Sequence, residues 1–172
     1  LAWLGDRSKV LLIIASGATA SMAALPPFFG FVAKEADLDT VLHSPTLGGA
    51  APFVLTGIVV GSVLTTVYSL RFLLGAFGRK GKPAPSTRVA EMHRPQTAFL
   101  IPPAILASAG LLFGLWPSGL NNILGDYADT VPDPEGYVSD YYLALWHGFN
   151  LPLALSGLVL AAGIAVYFGR DR

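Results

Sequence analysis

The residues best suited to acid–base chemistry in this sequence are a lysine and a glutamate side by side, Lys34 and Glu35, which follow directly on a long apolar run. Ionisable side chains inside a membrane are rare and usually functional. Such a pair can accept and release protons if it lies at membrane depth. Alternatively, Lys34 snorkels at the outer interface beside Glu35, because about 20 residues counted from Val10 already span a bilayer. Spacing alone leaves both interpretations open.

Three other side chains are candidates for a charged path. His43 can shuttle protons, since histidine titrates near neutral pH, or it is a plain loop histidine. His147 precedes the last apolar stretch and either makes a structural hydrogen bond at the interface or serves in ion access. Arg71 ends the second apolar stretch, where it can serve as a positive anchor at the cytoplasmic side. The histidines are far apart and no phosphate or nucleophile motif is present, so the sequence predicts no metal site, no cofactor and no catalytic residue.

The elements that must position these residues are transmembrane helices. Only 13% of the residues are charged, against about 25% in a soluble domain. Four stretches contain no charge at all: 10–33, 40–70, 95–125 and 141–169. Each is long enough to cross a bilayer, so we predict an all-α, polytopic transmembrane helix bundle in contact with lipid. A soluble domain, a disordered chain and a disulfide scaffold are excluded, and the zero net charge gives no support for a nucleic-acid partner.

The predicted spans cover about 10–38, 52–76, 97–116 and 144–168. The charge of the connections alternates, with six basic residues between 71 and 94 and five acidic residues between 126 and 140. Positive charge marks the cytoplasmic side, so we expect a multi-pass protein of the cell membrane with both ends of this chain in the cytoplasm. Because the chain begins without Met, we expect it to be a piece of a larger membrane protein.

The first span contains a predicted break at Leu25, Pro26, Pro27 and Gly30. Each proline lacks an N–H, and its ring clashes with the carbonyl group one turn earlier. Backbone groups freed inside a membrane must be satisfied by protein or by a polar cavity. Three hydroxyl side chains on the first half can line such a cavity or bond back to their own helix; they are Ser16, Thr19 and Ser21. In the second span, Gly57 and Gly61 form a small-xxx-small step at which a helix can approach, or simply an ordinary packing face.

The run from Ser21 to Glu35, with Leu25-Pro26-Pro27-Phe28 at its centre, closely resembles a signature of the antiporter-like membrane subunits. This superfamily includes the proton-channel subunits of respiratory complex I and the Mrp-type multisubunit cation/proton antiporters. The stretch 145–153, Leu-Trp-His-Gly-Phe-Asn-Leu-Pro-Leu, is more similar to the Mrp-type antiporters than to complex I. In the family the broken helix runs from the cytoplasm outwards, which agrees with the orientation derived from the loop charges.

The resemblance implies part of a secondary transporter rather than an enzyme, with Lys34 at the end of a proton path and Arg71 as a fixed charge partner. Glu35, His43 and His147 are further candidates for that path. Other membrane subunits are the implied partners, protons and Na⁺ or K⁺ the implied ions, and no cofactor is implied. Two alternatives stay open. One is a homologous proton-pumping subunit of complex I, and the other is a purely structural membrane scaffold, in which Lys34 is dispensable.

Overall fold

The computed structural model describes residues 9–78, 87, 91, 95–128, 130 and 142–169. Most of the basic connection 79–94 and of the acidic connection 126–140 therefore lies outside the described residues. Within them the chain forms no strand, which confirms the predicted all-α class. The α-helices are α1 (Lys9–Met22), α2 (Phe29–His43), α3 (Ala51–Phe77), α4 (Thr97–Leu115), α5 (Ser118–Ala128) and α6 (Leu151–Gly169), with a 3-10 helix at Pro45–Ala50 ahead of α3.

Among the described helices, α3, α4 and α6 are long and apolar enough to cross a membrane. Two of the three agree with the predicted spans to within a residue. The third begins at Leu151 instead of 144, because Gly148 has φ +85° and the Asn150 side chain caps the helix by accepting a hydrogen bond from the Leu153 N–H at 2.9 Å. The first predicted span is instead two shorter helices, α1 and α2, of 14 and 15 residues.

The discontinuity predicted in the first span is confirmed. Helix α1 ends at Met22, four residues before Pro26, which is the position whose carbonyl group the Pro26 ring would meet in a continuing helix. The end is a Schellman motif: Leu25 N–H donates to Ala20 O at 2.9 Å, and Ala24 N–H donates to Ser21 O at 3.0 Å. Ala24 has φ +54° at the position that usually holds glycine. The broken helix thus satisfies part of its own backbone.

Helix α2 is the element that α1, α3, α4 and α6 all contact. It packs against α3, α4 and α6, while α1 packs between α3 and α4, and α3 makes its most extensive contact with α6. A small buried cluster of Ala24, Phe31 and Val32 joins the break to the first turn of α2. Partly buried apolar side chains pack against this cluster: Phe29, Leu143, Leu145 and Leu153. The segment before α6 is therefore packed directly onto the break.

Candidate proton-transfer site

Lys34 and Glu35 lie in the second turn of α2, immediately after the break. Consecutive residues of an α-helix point about 100° apart, so the two side chains face different neighbours. Lys34 is half-buried, whereas Glu35 retains only 3% of its exposure. The two groups line two separate cavities, one on each side of α2.

Lys34 lines a polar cavity of about 240 Å³ between α1, α2 and α3. Asp37 on α2 shares this cavity, and hydroxyl groups reach it from two other helices, Ser21 on α1 and Thr65 on α3. Thr65 Oγ1 donates to Gly61 O at 2.8 Å, so its oxygen lone pairs are directed away from its own helix. The surroundings of Lys34 therefore contain one carboxylate and several hydroxyl groups, which can hold water and accept a proton.

Glu35 lines the second cavity, of about 180 Å³, together with Asp39, His147 and Asn150. Its Oε1 is buried and has no hydrogen-bond partner among the described residues. A buried polar atom normally has a partner, so a carboxyl oxygen with none, in a cavity shared with a histidine, is a candidate for binding a proton or an ordered water. Asn150 caps the first turn of α6, and the N-terminal end of a helix favours negative charge.

His147 is held by its own segment. Its Nε2 donates to Tyr142 O at 2.7 Å, because a carbonyl oxygen can only accept, and the two rings lie 5.2 Å apart. Leu143 is tied in turn to Asn121 on α5: Leu143 N–H donates to Asn121 Oδ1 at 2.9 Å, and Asn121 Nδ2 donates to Leu143 O at 3.3 Å. These hydrogen bonds hold the segment that contains His147, so His147 lines the Glu35 cavity although it is far from Glu35 in the sequence.

His43 lies in the last turn of α2, with its side chain 74% exposed. It is not in the Glu35 cavity, but its Nδ1 donates to the Asp39 backbone oxygen at 3.0 Å and lies 3.3 Å from Asp39 Oδ1, and Asp39 is in that cavity. Glu35, Asp39 and His43 therefore lie at successive i, i+4 positions on one face of α2, which leads from the buried carboxyl group to the exposed end of the helix.

The other predicted residues have more local roles. Arg71 is exposed on α3, lines neither cavity and makes no ion pair with the described part of the chain. Leu25, Pro26 and Pro27 lie in the break as expected, but Gly30 is already the second residue of α2. It is glycine because a Cβ there would overlap the Ser21 carbonyl group.

Of the three hydroxyl groups for which the sequence left open a cavity or a bond back to their own helix, only Ser21 reaches the cavity of Lys34. Thr19 is buried, and Ser16 lines a larger cavity of about 420 Å³ between α1 and α4 that is almost wholly apolar and has no ionisable group in its wall. No set of three or more His, Asp or Glu side chains is arranged to hold a metal ion in the described ranges.

Sequence reasoning missed several members of the site. Asp39 could have been predicted, because it lies four residues after Glu35 and four residues before His43 on the same face of a helix. Asp37, Thr65 and Asn150 had no such signal, because only the packing of α2 against α3 and α6 brings them to the ionisable pair.

Known proteins resemble this chain in sequence and in fold. No family model matches the chain. The A1 subunit of the Na(+)/H(+) antiporter from Staphylococcus aureus strain Newman is 36% identical over 148 residues, a match that covers 81% of this chain and 18% of that protein. The same protein from strain COL matches equally well. The structure of the Mrp complex from Dietzia sp. DQ12-45-1b matches with a TM-score of 0.78 and 34% identity, over 99% of this chain and 17% of that one.

This chain is homologous to part of an Mrp-type Na⁺/H⁺ antiporter subunit. The resemblance predicted from the Leu-Pro-Pro-Phe run and from residues 145–153 is thereby confirmed. The chain spans 18% of the length of the curated antiporter relatives that it matches. With three helices able to cross a membrane and a broken fourth element, it is a multi-pass membrane segment.

Proposed function

We propose that this chain contributes the outer part of a proton path to a multisubunit Na⁺(K⁺)/H⁺ antiporter. It acts as a transporter segment rather than an enzyme, in contact with other membrane subunits. The observation that carries the proposal is the position of Lys34 and Glu35 directly after a broken membrane helix, each in its own polar cavity. Its homology to antiporter subunits supplies the class of reaction.

Lys34 is the proposed proton carrier. Its amine accepts a proton from the inner part of the path and gives it to water or to the groups around it, with Asp37 as the nearby carboxylate. An amine is suited to this task because burial and neighbouring charges control whether it is protonated. The hydroxyl groups of Ser21 and Thr65 line the same space, so water molecules there have the partners that they need.

Glu35, Asp39, His43 and His147 form the proposed outer part of the path. A proton that reaches Glu35 can pass to Asp39 and then through water to Nε2 of His43, because Nδ1 of that exposed ring already donates to the Asp39 carbonyl group. His147 faces the same cavity and can hold the proton in exchange with Glu35. Arg71 remains a proposed positive anchor. The orientation that fits this direction is the one predicted from loop charge, in the cell membrane with both ends of the chain cytoplasmic.

Two variants of Lys34 test the proposal in inverted membrane vesicles that carry the whole antiporter. Lys34→Ala removes the carrier, and Lys34→Arg retains the charge on a group that does not release protons in proteins. We expect cation-driven proton exchange to fall about a hundredfold in both, with normal amounts of every subunit. Lys9→Ala, which removes an exposed lysine at the start of α1, is the matched control and should leave exchange unchanged.

A scaffold or a snorkelling lysine makes the opposite forecast. Full exchange in Lys34→Arg at normal subunit levels would mean that Lys34 is only an anchor. The relatives named above are antiporter subunits, which favours the antiporter over the complex I alternative.

A further inference from the structure

We propose that Asn121 is a positioning residue that holds His147 against the Glu35 cavity. The inference rests on the proposed role of that cavity in proton transfer. It assigns a task in transport to α5, a helix that lies outside the predicted membrane spans.

The Asn121 side chain bonds a single residue 22 positions further along the chain, with both its donor and its acceptor. Its Oδ1 accepts from Leu143 N–H at 2.9 Å, and its Nδ2 donates to Leu143 O at 3.3 Å. Two hydrogen bonds to the backbone of one residue fix its direction as well as its position. Asn121 is half-buried, whereas Asn122 beside it is exposed and makes neither bond.

The segment that Asn121 holds is the one that carries His147. Residues 142–150 form neither helix nor strand, so they lack the regular backbone bonds that would fix them from within. Leu143 and Leu145 pack on the cluster at the break, and the Tyr142 carbonyl accepts from His147 Nε2 at 2.7 Å. Asn121 therefore ties the segment at its beginning, just as Asn150 ties it at its end through the cap of α6.

The position of His147 decides which charged and titratable groups its imidazole ring faces. Glu35 and Asp39 face it from α2, and Tyr142 contacts its ring from its own segment. A shift of the segment changes the separation between the imidazole and the Glu35 carboxyl group without altering either group. The expected result is a changed pH dependence of exchange, which a purely structural clamp would not produce.

The experiment uses the complete antiporter with Asn121→Ala, with Asn122→Ala as the matched control, with His147→Ala, and with the Asn121→Ala/His147→Ala double variant. Hydrogen–deuterium exchange of peptides from 142–150 in the purified complex shows whether Asn121 still holds this segment, since the Leu143 N–H donates one of the two hydrogen bonds. We expect about tenfold faster amide exchange there in Asn121→Ala and no change in Asn122→Ala.

The positioning role of Asn121 is tested by measuring cation-driven proton exchange across a range of pH. We expect the midpoint of the profile to move by about half a pH unit in Asn121→Ala, in the same direction as in His147→Ala. The double variant should be no worse than His147→Ala alone, because both changes act through one group.

The possible failures are distinct. If His147→Ala leaves the pH profile unchanged, the proposed role of the cavity is wrong. If His147→Ala changes it and Asn121→Ala does not, the positioning role of Asn121 is overturned. Asn121→Asp gives a second check, since it keeps the acceptor, loses the Nδ2 donor and should fall between the wild type and Asn121→Ala.

Discussion

Gly114 of α4 lies against the carbonyl group of Pro27, so closely that a Cβ at this position would overlap Pro27 O and contact Phe28 C at 2.6 Å. The last turn of α4 thus packs backbone to backbone against the break in the first span. This contact fixes the break from α4, whereas the segment that carries His147 packs on it through apolar side chains. A helix that lines neither polar cavity therefore shapes the element that bears Lys34.

Replacement of Gly114 by alanine should destabilise the complex, because the added Cβ would overlap backbone atoms at the break. Backbone atoms cannot move aside as the end of a flexible side chain can. We expect a loss of about 1–3 kcal/mol, seen as a lower thermal-unfolding midpoint and less assembled complex. Gly110→Ala is the control one turn earlier, since a Cβ there would meet Ser21 Oγ at an ordinary 3.6 Å. Equal stability of the two variants would show that the break relaxes freely.

Replacement of both Pro26 and Pro27 by alanine restores two N–H donors and removes two ring clashes, so α1 can extend beyond Met22. We expect a complex that assembles but exchanges protons at least about tenfold more slowly, because Lys34 is displaced. The control is the same change at Pro102 and Pro103, which lie within the uninterrupted α4. Unchanged exchange in the first variant would leave the break as a packing feature only.

Glu35→Gln should separate function from stability. The side chain keeps its size, but it no longer carries a titratable proton, so we expect exchange to fall about a hundredfold. Its thermal-unfolding midpoint should stay within about 2 °C of the wild type or rise, since a buried carboxyl oxygen without a partner contributes little to folding. A large drop in the midpoint, with exchange retained, would instead make Glu35 a structural residue.

The proposed orientation can be tested with single cysteines, since this chain contains none of its own. Gln96 and Asn122 are both exposed, the first ahead of α4 and the second on α5. In an antiporter without other reactive cysteines, Gln96→Cys should react with an impermeant maleimide from the cytoplasmic face and Asn122→Cys from the outer face. Reaction of both from one face would contradict the proposed topology.

The sequence by itself determined where most of the helices lie. Charge-free stretches predict membrane helices because a bilayer tolerates few charges and requires satisfied backbone groups, and α3 and α4 match their predicted spans closely. The interruption near Pro26 was likewise predictable from the missing N–H. The Lys34–Glu35 pair could be identified from the sequence, because two ionisable residues directly follow a long apolar run.

Only the tertiary structure decided which local signals matter. Pro26-Pro27 ends a helix while Pro102-Pro103 does not, and only the former is packed against Gly114. The small-xxx-small pair Gly57 and Gly61 has no neighbour within 4 Å of a Cβ among the described residues.

The site itself depends on contacts between distant parts of the chain. His147 lines the Glu35 cavity, and Asn121 holds the segment before it through hydrogen bonds to Leu143, so the site links residues far apart in sequence. Helical periodicity relates residues only three or four positions apart, so it indicates which side chains share a face of α2 and not what lies opposite them. The division of Lys34 and Glu35 between two cavities therefore follows from the helices packed on either side of α2.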